Sequence, residues 1–242
     1  MAARFIDWLG VPAGAAWLDV GTGTGALLEA IQASASPKVI AGADPSETFL
    51  AVAAGRLPET TQLVAADAEH LPFEAHSFDA TVSGLALNFM PDAVAALSGM
   101  RRVTRPGGVV AAYVWDYAEG MQFLRRFWDV ATELDPSAAA SDEGRRRFPL
   151  CRPAPLRAAF EAAALSNVET AAIEIATPFD SFDDYWNPFL AGQGPAGTYV
   201  TGLPPSARDA LAERLRPQLT GADGRVDLTA RAWAVRGEAT VA

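Results

Sequence analysis

The sequence predicts an α/β protein: a mostly parallel sheet with helices on both faces. Three observations carry that expectation. Short apolar runs alternate with segments of helical spacing through the first 115 residues. Several of these runs end in glycine or aspartate, as strands feeding loops do. Half of the 242 residues are hydrophobic and a fifth are charged, which supplies a core and rules out a mainly disordered chain. That length favours one large domain, or one domain with an insertion.

Ala16–Val20 is a short apolar run that ends in glycines and reads as the first strand. From Ala26 to Ala33, Leu27, Leu28 and Ile31 recur at helical spacing. Val39–Ala41 reads as a second strand. Ser46 reads as a helix N-cap, and Phe49, Leu50 and Ala53 are expected on one face. Leu63–Ala65 and Phe78–Val82 read as the third and fourth strands, and a helix over 92–101 follows. Pro106-Gly107-Gly108 reads as a turn that launches Val109–Trp115, the longest strand signal in the chain.

The second half is less regular. Helices are expected over 119–134, 156–164 and 206–219, and strands over 168–176 and 226–236. Pro178–Pro205 holds nine Gly or Pro and six aromatic residues, too much punctuation for one element and too many rings for a solvated linker. It reads as an ordered insertion with its own apolar face, and residues 178–219 as a substrate-side lid before the last strand.

Composition narrows the function. Nineteen Lys and Arg against 29 Asp and Glu leave a net charge of −10, which makes nucleic acid and phospholipid surfaces poor partners. One cysteine, Cys151, permits no internal disulfide, and two histidines, His70 and His76, make a histidine metal site improbable; no metal is expected. No signal peptide or membrane-length apolar run is visible, so the expectation is a cytoplasmic protein without membrane insertion.

The chemistry concentrates at Leu18-Asp19-Val20-Gly21-Thr22-Gly23-Thr24-Gly25. Glycines between a strand and a helix let the backbone turn sharply and approach a ligand, and the helix start offers free N–H groups. Asp44 closes the second strand, 19 positions past Gly25, where a carboxylate can accept both hydroxyl protons of an adenosine ribose. Asp67 closes the third strand and can receive the exocyclic amine of adenine. One aspartate at a strand end is ordinarily a turn residue; three in register with three strands, Asp19, Asp44 and Asp67, are hard to explain as turns. Gly21-x-Gly23-x-x-Ala26 also fits a dinucleotide fingerprint, so an NAD(P)-dependent oxidoreductase is a second reading. Asp19 would crowd a pyrophosphate, however, and Lys38 is the only basic residue between Asp19 and Asp44. A nucleoside with a cationic tail and no phosphate, S-adenosyl-L-methionine, fits better. A non-catalytic nucleotide-binding protein is the third reading.

These residues resemble the class I S-adenosylmethionine-dependent methyltransferases of the type 11 group, which includes quinone-biosynthesis C-methyltransferases. Residues 18–25 resemble its first motif and Asp44-Pro45-Ser46 its ribose site. Residues 67–73 with Ser77-Phe78-Asp79 resemble its adenine loop, and residues 102–108 its Arg-Val-Leu-(Arg/Lys)-Pro-Gly-Gly turn. The resemblance covers roughly residues 15 to 115. It implies a Rossmann-like sheet of seven strands with the last antiparallel, and a single methyltransferase domain over 1–242. It implies S-adenosyl-L-methionine held by Asp19, Gly21, Thr22, Gly23, Asp44, Pro45, Asp67, Ala68 and Ser83. The family carries a helical segment before the first motif; Phe5, Trp8 and Leu9 are its expected remnant among the 15 or so residues found here.

Strand-end logic nominates Asp116 and Asn88 as catalytic candidates, with loop hydrogen bonding as the alternative for each. Tyr117, Tyr185 and Trp186 are candidate substrate walls, with core packing as the alternative for the last two. Arg145-Arg146-Arg147 reads as a solvated charge run that could meet a substrate carboxylate. The Asn/Asp-Pro-Pro-Tyr signature of amino methyltransferases is absent after the fourth strand, which runs on as Val82-Ser83-Gly84-Leu85-Ala86-Leu87-Asn88. The expected substrate is a small apolar or aromatic molecule methylated at oxygen or carbon.

Overall fold

A computed structural model describes residues 1–142, 144 and 148–240. The strands are β1 (Ala16–Val20), β2 (Val39–Asp44), β3 (Gln62–Ala65), β4 (Phe78–Gly84), β5 (Thr104–Trp115), β6 (Leu165–Phe179) and β7 (Val226–Ala239). The helices are α1 (Ala2–Leu9), α2 (Ala26–Ser34), α3 (Glu47–Ala54), α4 (Ala93–Val103), α5 (Gln122–Leu134), α6 (Pro153–Ala162), α7 (Phe182–Leu190), α8 (Gly194–Gly202) and α9 (Pro205–Leu219). Short 3-10 turns lie at Ala68–His70, Leu87–Phe89 and Pro136–Ala140. The chain divides into two compact units. The first is Met1–Val114, Leu150–Ile173 and Trp233–Ala242; the second is Trp115–Pro149 and Glu174–Ala232.

In the first unit the sheet order is β3-β2-β1-β4-β5-β7-β6. β1 pairs in parallel with β2 and β4, β2 with β3, and β4 with β5. Parallel strands need both faces covered, and every residue of β1 is buried. β6 and β7 meet in the opposite sense: Thr240 bonds Ala164, Asn167 bonds Glu238, and Arg236 pairs with Glu169. Partner numbers fall on one strand as they rise on the other, so the sheet is mixed, as a seven-stranded fold of this order requires.

Local chemistry explains most boundaries. Ser46 accepts the Phe49 N–H and starts α3; Asp92 accepts the Ala95 N–H and starts α4. Pro106-Gly107-Gly108 proves to be a bulge inside β5 rather than a turn before it. The ladder passes from Phe78 opposite Thr104 to Ala80 opposite Val109, which leaves the intervening residues looped out. Phe5, Ile6 and Leu9 of α1 are buried, and the Phe5 ring lies 4.7 Å from Tyr113 of β5. Arg236 of β7 sits over Trp8, 5.2 Å from the ring centre.

The second unit is larger than the expected insertion over 178–219, because α5 joins it. Phe127 and Trp128 of α5 pack with Tyr185, Trp186 and Phe189 of α7 and Val200 of α8. Phe189 stacks on Phe123 and Phe127 at 4.5 Å each. Cys151, the single cysteine, is buried, and no described helix is long and apolar enough to cross a membrane.

Candidate functional site

The carboxyl ends of β1, β2, β3 and β4 open into a cavity of about 680 Å³ within the first unit. Its floor is Gly21, Thr22 and Gly23. Gly21 and Gly23 have φ of +74° and +52°, a region that only glycine enters cheaply. A Cβ on Gly21 would also stand 2.5 Å from that of Ala86. The hairpin-tight turn is held by Ala43 O, which accepts both the Gly21 and Thr22 N–H groups.

Asp44 is buried at the end of β2. Its two oxygens accept the Gly23 and Ser46 N–H groups at 2.8 and 2.9 Å. A carboxylate has about four acceptor sites, so two remain for a ligand. Asp67 and Ala68 line the next wall, and Glu69 and His70 extend it. Pro45 and Phe49 come from the β2–α3 junction; Leu85, Ala86, Phe89, Met90 and Pro91 come from the segment after β4. The lining thus has a polar, acidic side and an apolar side. It holds Asp44, Asp67 and Glu69 and no Lys or Arg among the described residues.

Asp19 lies behind this floor rather than on it. Thr22 donates its hydroxyl to Asp19 Oδ2 at 2.8 Å, while Oδ1 is buried without a hydrogen bond of good geometry. Burial pushes the Asp19 carboxyl up to about 7, Asp44 adds to the rise, and the Thr22 bond opposes it. Asp19 and burial together hold the Tyr113 phenol above its usual range, with burial the larger cause.

The structure brings seven of the nine expected cofactor residues to the cavity: Gly21, Thr22, Gly23, Asp44, Pro45, Asp67 and Ala68. Asp19 touches it only through Thr22. Ser83 is fully buried in β4 and outside the lining. Asn88 lies in the 3-10 turn beside the apolar side, and its Nδ2 is buried with no partner.

The remaining candidates fall in the second unit and do not line this cavity. Asp116 is buried, and its Oδ2 accepts two bonds from Arg231 at 2.8 and 2.6 Å. Its Oδ1 accepts the Glu119 N–H. That carboxylate is committed to an ion pair, which corrects its reading as a free base. Tyr185 and Trp186 are buried in the aromatic core rather than walling a site; the Tyr185 hydroxyl is spent on Phe123 O. Tyr117 is half-buried against Phe148, 5.2 Å away. Arg145, Arg146 and Arg147 lie outside the described residues.

Sequence reasoning missed Phe49, Phe89 and Met90. Phe49, read on one face with Leu50 and Ala53, is 50% exposed and lines the cavity, while those two are buried. A residue about 100° from its helical neighbour can lie across the boundary of an apolar face. Phe89 and Met90 follow β4, so the strand-end rule that found Asp44 and Asp67 would have found them too.

Residues 18–112 match the family model described as "Methyltransferase domain". Over this segment the chain is similar to methyltransferase domains. Demethylmenaquinone methyltransferase of Staphylococcus aureus (strain JH9) is 40% identical over 110 residues, which cover 44% of this chain and 46% of that one. The chain therefore matches just under half the length of these curated relatives. Among solved structures, a candidate type II methyltransferase from Anaeromyxobacter dehalogenans superposes with a TM-score of 0.71 at 20% identity, over 100% of this chain and 97% of that one. Haemonchus contortus phosphoethanolamine N-methyltransferase 2, in complex with S-adenosyl-L-methionine, gives 0.60 at 18% identity, over 99% of this chain and 52% of that one. At these identities the likeness shows the fold.

Proposed function

We propose that the chain is an S-adenosyl-L-methionine-dependent methyltransferase acting on a small apolar or aromatic molecule at oxygen or carbon. The observation that carries this reading is the cavity: a glycine floor and three acids with no Lys or Arg among the described residues, set in a segment similar to methyltransferase domains. Asp44 would bind the ribose hydroxyls with its two free acceptor sites. Asp67 and the Ala68 backbone would hold the adenine edge. The buried, half-satisfied Asp19 sets negative potential beneath the loop where a cationic tail would lie. When bound, S-adenosylmethionine supplies a methyl group activated by its sulfonium.

The chain's own residues then have to bind, orient and exclude water. Positioning of this kind can supply about 7–11 kcal/mol of a barrier without a dedicated catalytic side chain. Leu85, Ala86, Phe89, Met90 and Pro91 offer the substrate an apolar surface. The demethylmenaquinone named for the Staphylococcus relatives is compatible with it. Asn88, in the turn that carries this surface, would be the polar group to orient an acceptor oxygen. Phosphate-bearing dinucleotides suit the cavity less well, because three carboxylates would face the pyrophosphate without a compensating charge.

The test is turnover. Incubating the protein with S-adenosylmethionine and a panel of phenols and quinones should add one methyl mass to at least one member, with equimolar S-adenosylhomocysteine. Oxidation of NADH in place of methylation would reverse the assignment.

A further inference from the structure

We propose that Gly99 is a positioning residue for the adenine side of this cavity, and that α4 sets the place of the Asp67–Ala68 wall through it. The inference rests on the cofactor reading above and deepens it.

Gly99 is buried near the middle of α4, where glycine is the poorest choice short of proline. Something must exclude a larger residue. A Cβ at Gly99 would stand 2.4 Å from the carbonyl oxygen of Ala68, 3.6 Å from its carbon and 3.7 Å from the Glu69 oxygen. These are backbone atoms of the 3-10 turn Ala68–His70, so no side chain can rotate away. The turn itself must move.

That turn has little else to hold it. Asp67 stands at its start without a side-chain cap bond, and the bonds found here are His70 N–H to Asp67 O and Ala66 N–H to Asp44 O. The same helix face supplies the other restraint. Arg102, three residues on from Gly99, donates to the Leu71 carbonyl at 2.6 Å and the Phe73 carbonyl at 2.8 Å. Ala96, three residues before Gly99, lines the cavity directly. One face of α4 therefore abuts the turn at Gly99 and clamps the strand of chain leaving it at Arg102. Asp67, Ala68, Glu69 and His70, all on that segment, form one wall of the cavity.

The experiment is calorimetric titration of the full chain with S-adenosylmethionine and, separately, with adenosine. Gly99→Ala should weaken both by the same factor, roughly tenfold, because the displaced wall meets only the nucleoside. At saturating S-adenosylmethionine, kcat should stay within about twofold of the wild type while KM for the cofactor rises. Arg102→Lys, which keeps the charge but loses the rigid planar fork that spans the two carbonyls, should shift affinity the same way by a smaller factor. It keeps the inference testable if Gly99→Ala does not fold. Gly202→Ala, at a helical glycine with open space around it, should change neither affinity. A purely structural role would lower the melting temperature and leave both affinities at the wild-type value, and that result overturns the inference alone. No binding by the wild-type chain overturns the cofactor reading, and this inference with it.

Discussion

Both units bury aromatic residues, but only the first sets rings at the edge of the cavity. In the second, Phe127, Trp128, Tyr185, Trp186 and Phe189 are buried against one another. In the first, Phe49 and Phe89 are 50% and 63% exposed, and both line the cavity. A dense cluster of rings is thus the core of one unit, while two exposed rings edge the site of the other. Ring content by itself marks burial. A ring marks a site when it stands at a strand end, beside glycines and acids that a core has no use for.

This contrast can be broken or sharpened by mutation. The largest effect is expected in the second unit. Trp186→Ala should cost about 3–5 kcal/mol of stability, from lost burial and the cavity left behind, while affinity for S-adenosylmethionine is retained in whatever fraction folds. Chemical denaturation followed by titration reads both. Asp116→Ala should come next, at about 3 kcal/mol, because it removes the buried carboxylate that Arg231 pairs with. If Asp116 instead served as a base, kcat would collapse with little change in the unfolding midpoint.

Asp44→Ala should lower cofactor affinity by roughly 100-fold, about 3 kcal/mol, through two lost charge-assisted hydrogen bonds. Phe49→Ala and Phe89→Ala should reverse the Trp186 pattern. Each should leave the unfolding midpoint nearly unchanged and weaken binding of cofactor or substrate by about fivefold, roughly 1 kcal/mol.

A further effect is on pH. The Asp19 carboxyl is raised from 3.8 to about 7 by burial, so the free fold prefers it protonated. Its contribution to stability is complete below about pH 4 and is lost as pH rises through about 7. The unfolding midpoint of the free protein should fall across that window, and Asp19→Asn should flatten the fall. Affinity for a cationic ligand should move the other way, rising as Asp19 ionises.

Much of the first unit was legible because its signals are local. A glycine loop after Val20, an N-cap at Ser46 and acids at positions 44 and 67 each follow from a few neighbouring residues. Seven of the nine expected cofactor residues line the cavity for that reason. Ser83 failed because strand alternation decides which way a side chain faces, and the first buried layer looks like a strand end in sequence. Tyr185 and Trp186 failed because a ring suits a core and a binding wall equally. Only long-range packing, here the arrival of α5 against α7, separates the two. The Asp116 pairing was equally hidden: its partner Arg231 is 115 positions away. Gly99 was silent for the same reason, since nothing near it in sequence names the carbonyl it must accommodate.

The central claim is that the acidic, glycine-floored cavity recognises an adenosine with a cationic tail. Calorimetric titration of the wild-type chain and Asp44→Ala with S-adenosylmethionine tests it most directly, with NADH titrated in parallel. The account predicts one site for S-adenosylmethionine, a roughly 100-fold loss in Asp44→Ala, and no heat with NADH. Saturable binding of NADH with none of S-adenosylmethionine would contradict it.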